Sequence, residues 1–241
     1  MKLLAFETAT EACSVAVWDD GRVLERFGIV PRRHAELALP WAEDLLAEAG
    51  VARSQLDAIA VGRGPGAFTG VRLAIALAQG IALALDRPVV ALSTLAVLAM
   101  RGADAAGPGG HVLAAIDARM GEVYSAAFAL DAEGPRLLDD ERVGPPASVA
   151  LPEPLAQSAG GAWHGVGTGF AAGDGALAAR LGARMAGVDA TALPRAGDLA
   201  RLGAAAFARG EAVAADRIEP AYLRDNVALT IAEQQALRAA R

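Results

Sequence analysis

Residues 62–72 read GRGPGAFTGVR: three glycines and a proline within five positions, then Phe-Thr-Gly and the opening of an alanine-rich helix. Such a loop either holds a phosphate or turns the chain. A dinucleotide fingerprint needs G-x-G-x-x-G; counted from Gly62 the third glycine falls on Ala67, and from Gly64 it falls on Thr69. A P-loop needs a lysine beside its last glycine, yet of 22 basic residues 21 are arginine and Lys2 is the only lysine. Both phosphate loops are therefore excluded. Two readings stay open. In one, Gly64-Pro65-Gly66 makes a sharp strand-to-helix turn and Thr69 caps the helix, the commoner use of such residues. In the other, the N–H groups opening the 69–85 helix form a weak nucleotide or anion site with Glu7, Thr8, Arg63, Gly64 and Gly66.

The helix behind the loop is apolar on nearly every side. Gly70, Ala74, Ala78 and Ala82 recur every four residues, and Ala76, Gly80 and Ala84 make a second small-residue row. Between them stand Val71, Leu73, Ile75, Leu77, Ile81, Leu83 and Leu85. Rows of small residues let another helix approach closely, and a helix apolar all round must be covered all round. Either its own domain wraps it, or part of it meets another chain. Both readings stand on pattern alone.

Upstream, residues 3–7, 13–18 and 22–29 read as short strands, with Asp19-Asp20-Gly21 as a hairpin turn. Residues 34–49 make a helix with Gly50 just past its end. Strands at 57–62 and 89–92 flank the 69–85 helix, and another helix starts near Ser93-Thr94. This order predicts an α/β lobe. Residues 102–110, GADAAGPGG, are linker-like, and the strand pattern restarts at 111–117 and 122–130. A second lobe opening on a hairpin echoes the first, although no residue-level repeat is visible. Beyond 131 the pattern weakens to a strand near 163–166, a glycine-rich loop at 165–175 and a helix near 196–209.

Composition narrows the function. The chain has 241 residues, 54% of them hydrophobic, a formal net charge of −6 and one cysteine. A single cysteine rules out an internal disulfide or a cysteine-only metal site. The basic residues are scattered, whereas strong binding to a nucleic-acid backbone needs them clustered, so any RNA is expected to be held mainly by a partner. No stretch reaches the roughly 18–20 apolar residues of a membrane span; the nearest, Leu73–Leu85, is 13 long and contains Gln79, so it reads as a buried helix. The opening residues lack the apolar core of a signal peptide. A soluble cytoplasmic protein is expected.

Complete catalytic sets are not visible. His34, His111 and His164 include no i, i+3 or i, i+4 pair, so the usual helical metal pair is missing. Cys13 sits in a strand pattern as a small core residue. Glu7 ends the first strand, where it either meets a metal–nucleotide or faces water. Asp117, Arg119 and Glu122 flank a hairpin, as catalytic groups or, more commonly, as a local ion pair.

Four segments together resemble one family: ETATEACSVAVW at 7–18, GRGPGAFTGVRLAIALAQG at 62–80, LAAIDARMGEVY at 113–124 and EPAYLRDNVA at 219–228. The resemblance is to the bacterial TsaB (YeaZ) family and spans essentially the whole chain. It implies an actin-like fold of the sugar-kinase and Hsp70 type, two lobes of mixed sheet flanked by helices. The lobes would be residues 1–105, with docking helices 34–49 and 69–85, and 106–241, whose last helix packs back on the first. It implies a part in making threonylcarbamoyladenosine at position 37 of tRNA, without catalysis and without a cofactor or metal. The related catalytic subunit, TsaD, binds its metal through a His-x-x-x-His pair, which the resemblance places at Thr94 and Leu98 here. The implied partners are TsaD, the ATPase TsaE and, without TsaD, a second copy, with tRNA touched only indirectly. The expected interface comprises His34, Leu37, Trp41, Thr69, Leu73, Ala74, Leu77 and Ala78. The competing readings are an actin-like small-substrate kinase or ATPase acting alone and, weakest, a peptidase.

Overall fold

The structure is a computed structural model and describes residues 1–152 and 163–224. Strands β1 (Lys2–Glu7), β2 (Ala12–Asp19) and β3 (Arg22–Ile29) form an antiparallel meander, and α1 (His34–Ala49) follows. β4 (Ala58–Gly62) then pairs parallel to β1; α2 (Phe68–Leu85) leads into β5 (Val89–Leu92), parallel to β4. The sheet order is β3-β2-β1-β4-β5. Next come α3 (Thr94–Ala99) and a single turn, α4 (Ala103–Ala106).

The same arrangement then repeats. β6 (His111–Arg119), β7 (Glu122–Asp131) and β8 (Gly134–Leu137) form a second antiparallel meander, and β9 (Arg142–Gly144) pairs with β7. β10 (Trp163–Val166) runs parallel to β6; α5 (Ala172–Leu181) leads to β11 (Met185–Asp189), parallel to β10, and α6 (Ala196–Ala208) closes the pattern. The second sheet runs β11-β10-β6-β7-β8, the first lobe's order and polarity over again. This twofold α/β architecture is the actin-like fold.

Side-chain size alternates along the first sheet with the two-residue period of a strand. Leu4, Phe6, Val15, Val17, Ile59 and Val61 face α1 and α2. Ala5, Ala16 and Ala60, which stand beside one another in register, face α6 through Ala196, Leu199 and Ala200. The alanine strip lets α6 lie so close that a Cβ on Gly203 would be 3.0 Å from that of Ala60. The exchange is mutual, since α3 puts Leu95, Leu98 and Ala99 against Val112, Ala114 and Phe128 of the second sheet. Each lobe thus lends a helix to the other, α3 from the first and α6 from the second.

Three expectations need correcting. The segment 102–110 is no loose linker: Gly102 is buried against Val112 and Val166, and Gly110 packs on the backbone of Ala106. The glycine-rich stretch at 165–175 is a tight turn, with Gly173, Asp174 and Gly175 all left-handed at the start of α5. At 18 residues and a mean hydropathy of 1.7, α2 does have the length and composition of a membrane span; here it lies along the sheet with Val71, Ala74, Ile75, Ala78 and Ala82 buried.

Because α6 joins the lobes, a defect in it should unfold both together. Leu199 is fully buried, so Leu199→Ala should cost about 2–5 kcal/mol. Denaturant unfolding should report the same loss in a variant keeping only Trp18 and Trp41 as in one keeping only Trp163.

Candidate functional site

The glycine loop is shaped by what it touches. A Cβ on Gly70 would lie 2.0 Å from the carbonyl oxygen of Thr8, one on Gly66 2.4 Å from that of Ala9, and one on Gly62 2.0 Å from Oε2 of Glu7. Gly64 has φ +93°, the left-handed region that favours glycine. The Ala67 amide donates to the Ala9 carbonyl at 2.7 Å, and Thr8 Oγ1 donates to the Gly70 carbonyl at 2.7 Å. The loop is bolted to the end of β1.

Thr94 closes the junction from the far side. Its amide donates to the Gly64 carbonyl at 2.9 Å, and its hydroxyl accepts from the Gly64 amide at 3.2 Å and donates to Glu7 Oε2 at 3.1 Å. Glu7 also accepts from the Ala9 amide at 2.9 Å. Burial, only partly offset by these bonds, pushes the Glu7 carboxyl up to about 7. Of the residues read as a nucleotide or anion site, Glu7, Thr8 and Gly64 are buried and satisfied within the protein. Only Gly66 opens onto the neighbouring cleft. Thr69 does not cap the helix: α2 begins after Ala67 with no side-chain cap, and Thr69 is exposed in its first turn. The bond from Ala67 to Ala9 already fixes the helix start.

The α2 residues exposed to solvent are Phe68, Thr69, Arg72, Ala76, Gly80, Leu83 and Ala84, with Leu73 and Leu77 half-buried on the flanks. Ala74 and Ala78, expected at an interface, are fully buried on the sheet. The two small-residue rows are offset by two residues, about 200° around a helix, so one row faces the core and the other faces out. Arg72, the only charge on the helix, marks the outward row. On α1, Leu37 and Trp41 are half-buried while Leu39 and Pro40 are exposed. The Trp41 ring covers Gly28, and His34 Nε2 lies 3.0 Å from the Thr10 carbonyl, bracing the β1–β2 loop.

Between the lobes lies a cavity of about 710 Å³. The start of α2 and residues 9–11 form one wall, the β6–β7 hairpin with Thr168 the other, and residues 221–224 cross between them. Asp117 and Arg119 form a local ion pair at 2.8 Å within the hairpin, while Glu122 pairs instead with Arg224. Sequence reading used the 219–224 stretch only as part of the 219–228 motif that carries the resemblance. Tyr222 nevertheless accepts from Arg72 Nε at 2.8 Å, and the Arg72 guanidinium lies 3.5 Å from the centre of the Phe68 ring. Residues 225–228 of that motif lie outside the described residues. Cys13 is buried, and its thiol is pushed up to about 11 by burial, as suits a core residue. Among the described residues no three His, Cys, Asp or Glu side chains converge as metal ligands. Thr94 and Leu98 are both fully buried, Leu98 packing under Gly167.

Residues 22–232 match a family profile described as TsaD, tRNA N6-adenosine threonylcarbamoyltransferase. The tRNA threonylcarbamoyladenosine biosynthesis protein TsaB of Escherichia coli K12 is 41% identical over 233 residues, 95% of this chain and 96% of its own length. The chain belongs to the TsaB (YeaZ) family. The Haemophilus influenzae TsaB is 44% identical over 124 residues, 52% of each chain. The solved structure of YeaZ from Pseudomonas aeruginosa, 49% identical, superposes with a TM-score of 0.83 over 92% of this chain and 99% of that one. Two lobes with exchanged helices are therefore this TsaB-family chain's scaffold, and its candidate surfaces are the outer face of α2 and the interlobe cleft.

The junction carries two expected outcomes. A Glu7 carboxyl raised from 4.5 to about 7 binds its proton more tightly folded than unfolded. Its stabilising contribution is complete below about pH 4.5 and is lost as pH rises through 7, on the order of 3 kcal/mol in all. Unfolding free energies measured across that range should show the decline in the wild type and lack it in Glu7→Gln, whatever the offset between them at low pH. Gly70→Ala should lower the melting temperature sharply, because backbone stands where its methyl must go.

Proposed function

We propose that this chain is the shape-supplying subunit of the machinery that transfers a threonylcarbamoyl group from its adenylate to adenosine 37 of tRNA. In this reading the outer face of α2, with the adjoining edge of α1, docks on the catalytic relative TsaD. A second copy takes that place when TsaD is absent. The assembly recruits the ATPase TsaE in the cytoplasm, and tRNA is held chiefly by the partners.

The observation that carries the reading is the surface around α2. Among the described residues nine large apolar side chains are exposed, and five of them, Ile29, Leu39, Phe68, Leu83 and Tyr222, belong to α1, α2 or the segments beside them. Between them runs the smooth row Ala76, Gly80 and Ala84, where a Cβ added to Gly80 would meet nothing within 4 Å. A shallow apolar strip without bulk suits a closely packed helix. The second support is chemical. Buried Thr94 and Leu98 offer no imidazole to a metal where the relative keeps its pair. The lone-kinase reading draws nothing from Glu7, which is sealed beneath the glycine loop.

Two substitutions separate this face from the core. Gly80→Arg should leave the isolated chain folded, and slightly more stable because a helical glycine is replaced, while weakening TsaD binding at least about tenfold, as loss of a contact worth roughly 1.4 kcal/mol or more does. Ala78→Arg should not fold, since Ala78 has no exposed surface. Light scattering and titration calorimetry with purified TsaD read the first outcome, and circular dichroism the second. Reconstituted tRNA modification should need this chain in addition to TsaD and TsaE; product formed equally well without it rejects the reading.

A further inference from the structure

Residues 219–224, EPAYLR, follow α6 and touch both walls of the interlobe cleft. On the first lobe the Ala221 amide donates to the Arg63 carbonyl at 2.8 Å, and the Tyr222 hydroxyl accepts from Arg72 Nε at 2.8 Å. The Tyr222 ring lies 6.4 Å from that of Phe68, centre to centre. On the second lobe Arg224 donates to the Ala118 carbonyl at 3.2 Å and to the Glu122 carboxylate. Among the described residues no hydrogen bond joins the first-lobe wall to the hairpin wall directly. Across the mouth of the cleft, this segment is the hydrogen-bonded connection.

The two ends differ in kind. Arg224 is largely buried, its side chain 17% exposed, and a guanidinium shared between a carboxylate and a carbonyl in such a place holds more firmly than a surface pair. Its hairpin seat is itself stiffly shaped, for Arg119, Met120 and Gly121 are all left-handed. Tyr222 is half exposed and seated on Phe68 and Arg72, both at the solvent-facing start of α2. A chain docking along the outer face of α2 therefore meets the first end of the segment, while the second end reaches the other lobe.

We propose that residues 219–224 are a strap that holds the two lobes together across the cleft and ties their separation to occupancy of the α2 face. The tie rests on the docking reading above; the strap itself does not. Nitroxide labels on cysteines at Ala35→Cys and Arg119→Cys span the cleft, and Cys13 is buried. Pulsed electron–electron resonance on the labelled full chain should give a narrow separation. Arg224→Ala should lengthen and broaden it, and Glu122→Gln, which cuts the same bond from the other side, should do likewise; circular dichroism checks that both fold. Distributions that superpose on the parent's in both variants overturn the strap. Neither residue touches α2, so a change of at least about fivefold in TsaD affinity, the lower range of coupling between sites, is expected through the strap alone. An altered separation with unaltered affinity overturns the tie. If the unsubstituted chain does not bind TsaD, the docking reading falls and the tie falls with it, while the strap is decided by the label separation alone.

Discussion

The carbonyl oxygen of Thr8 lies where a methyl group on Gly70 would have to be. That close approach, repeated at Gly66 and Gly62, lets the chain leave β4, turn sharply and start α2 hard against the end of β1. Everything on the outer surface of the first lobe follows. With its start fixed by backbone contact, α2 has one rotational setting, with Val71, Ala74, Ile75 and Ala78 on the sheet and Arg72, Ala76 and Gly80 in water. A glycine loop that resembles a phosphate cradle spends its glycines on close contact with the protein itself: Gly66 and Gly70 on backbone, Gly62 on the Glu7 carboxyl.

The exchanged helices make the second constraint. In a simple two-lobe protein each sheet would be covered by its own helices and the lobes would meet over a modest, polar surface. Here α3 and α6 are each buried on the other lobe's sheet. Polar ties add to that packing. Ser14 accepts from the Ala196 amide at 2.8 Å, Glu25 accepts from the Gly197 amide at 3.0 Å, and Arg101 meets Asp198 at 3.2 Å. None of these residues lines the cleft, whose two walls are hydrogen-bonded to each other, among the described residues, through the 219–224 segment.

Much of this was legible in the residues. Residues 22–29, 34–49, 89–92 and 163–166 were bounded from period and turn signals as the structure has them, because each is flanked by glycine, proline or charged breakers. The order of strands and helices pointed to an α/β lobe and the matching motifs to the actin-like fold. The facing of α2 was not legible from small residues, since alanine suits a tight core and a smooth interface equally well. The sharper guide was Arg72, whose charge cannot be buried unpaired and whose i−3, i+4 and i+8 neighbours, Thr69, Ala76 and Gly80, trace the exposed face. The Tyr222–Arg72 and Arg224–Glu122 contacts join positions 150 and 102 residues apart, beyond the reach of any local pattern.

The centre of the junction is filled by the protein's own side chains. Thr94 gives one hydroxyl to both Glu7 and the Gly64 amide, and Leu98 fills the space beneath Gly167. Imidazoles at these two positions would need room, and a metal between them would need water or substrate access; the packed junction offers neither. Filling it stiffens the base of the glycine loop and so fixes the orientation of α2. A buried carboxyl near neutrality is tolerable there because its proton can stay on, and its hydrogen bonds serve the turn rather than a substrate. The interior volume at this junction is occupied by side chains that hold the loop and the start of α2 in place. The packed loop at the centre thereby sets the direction in which the exposed face of α2 points.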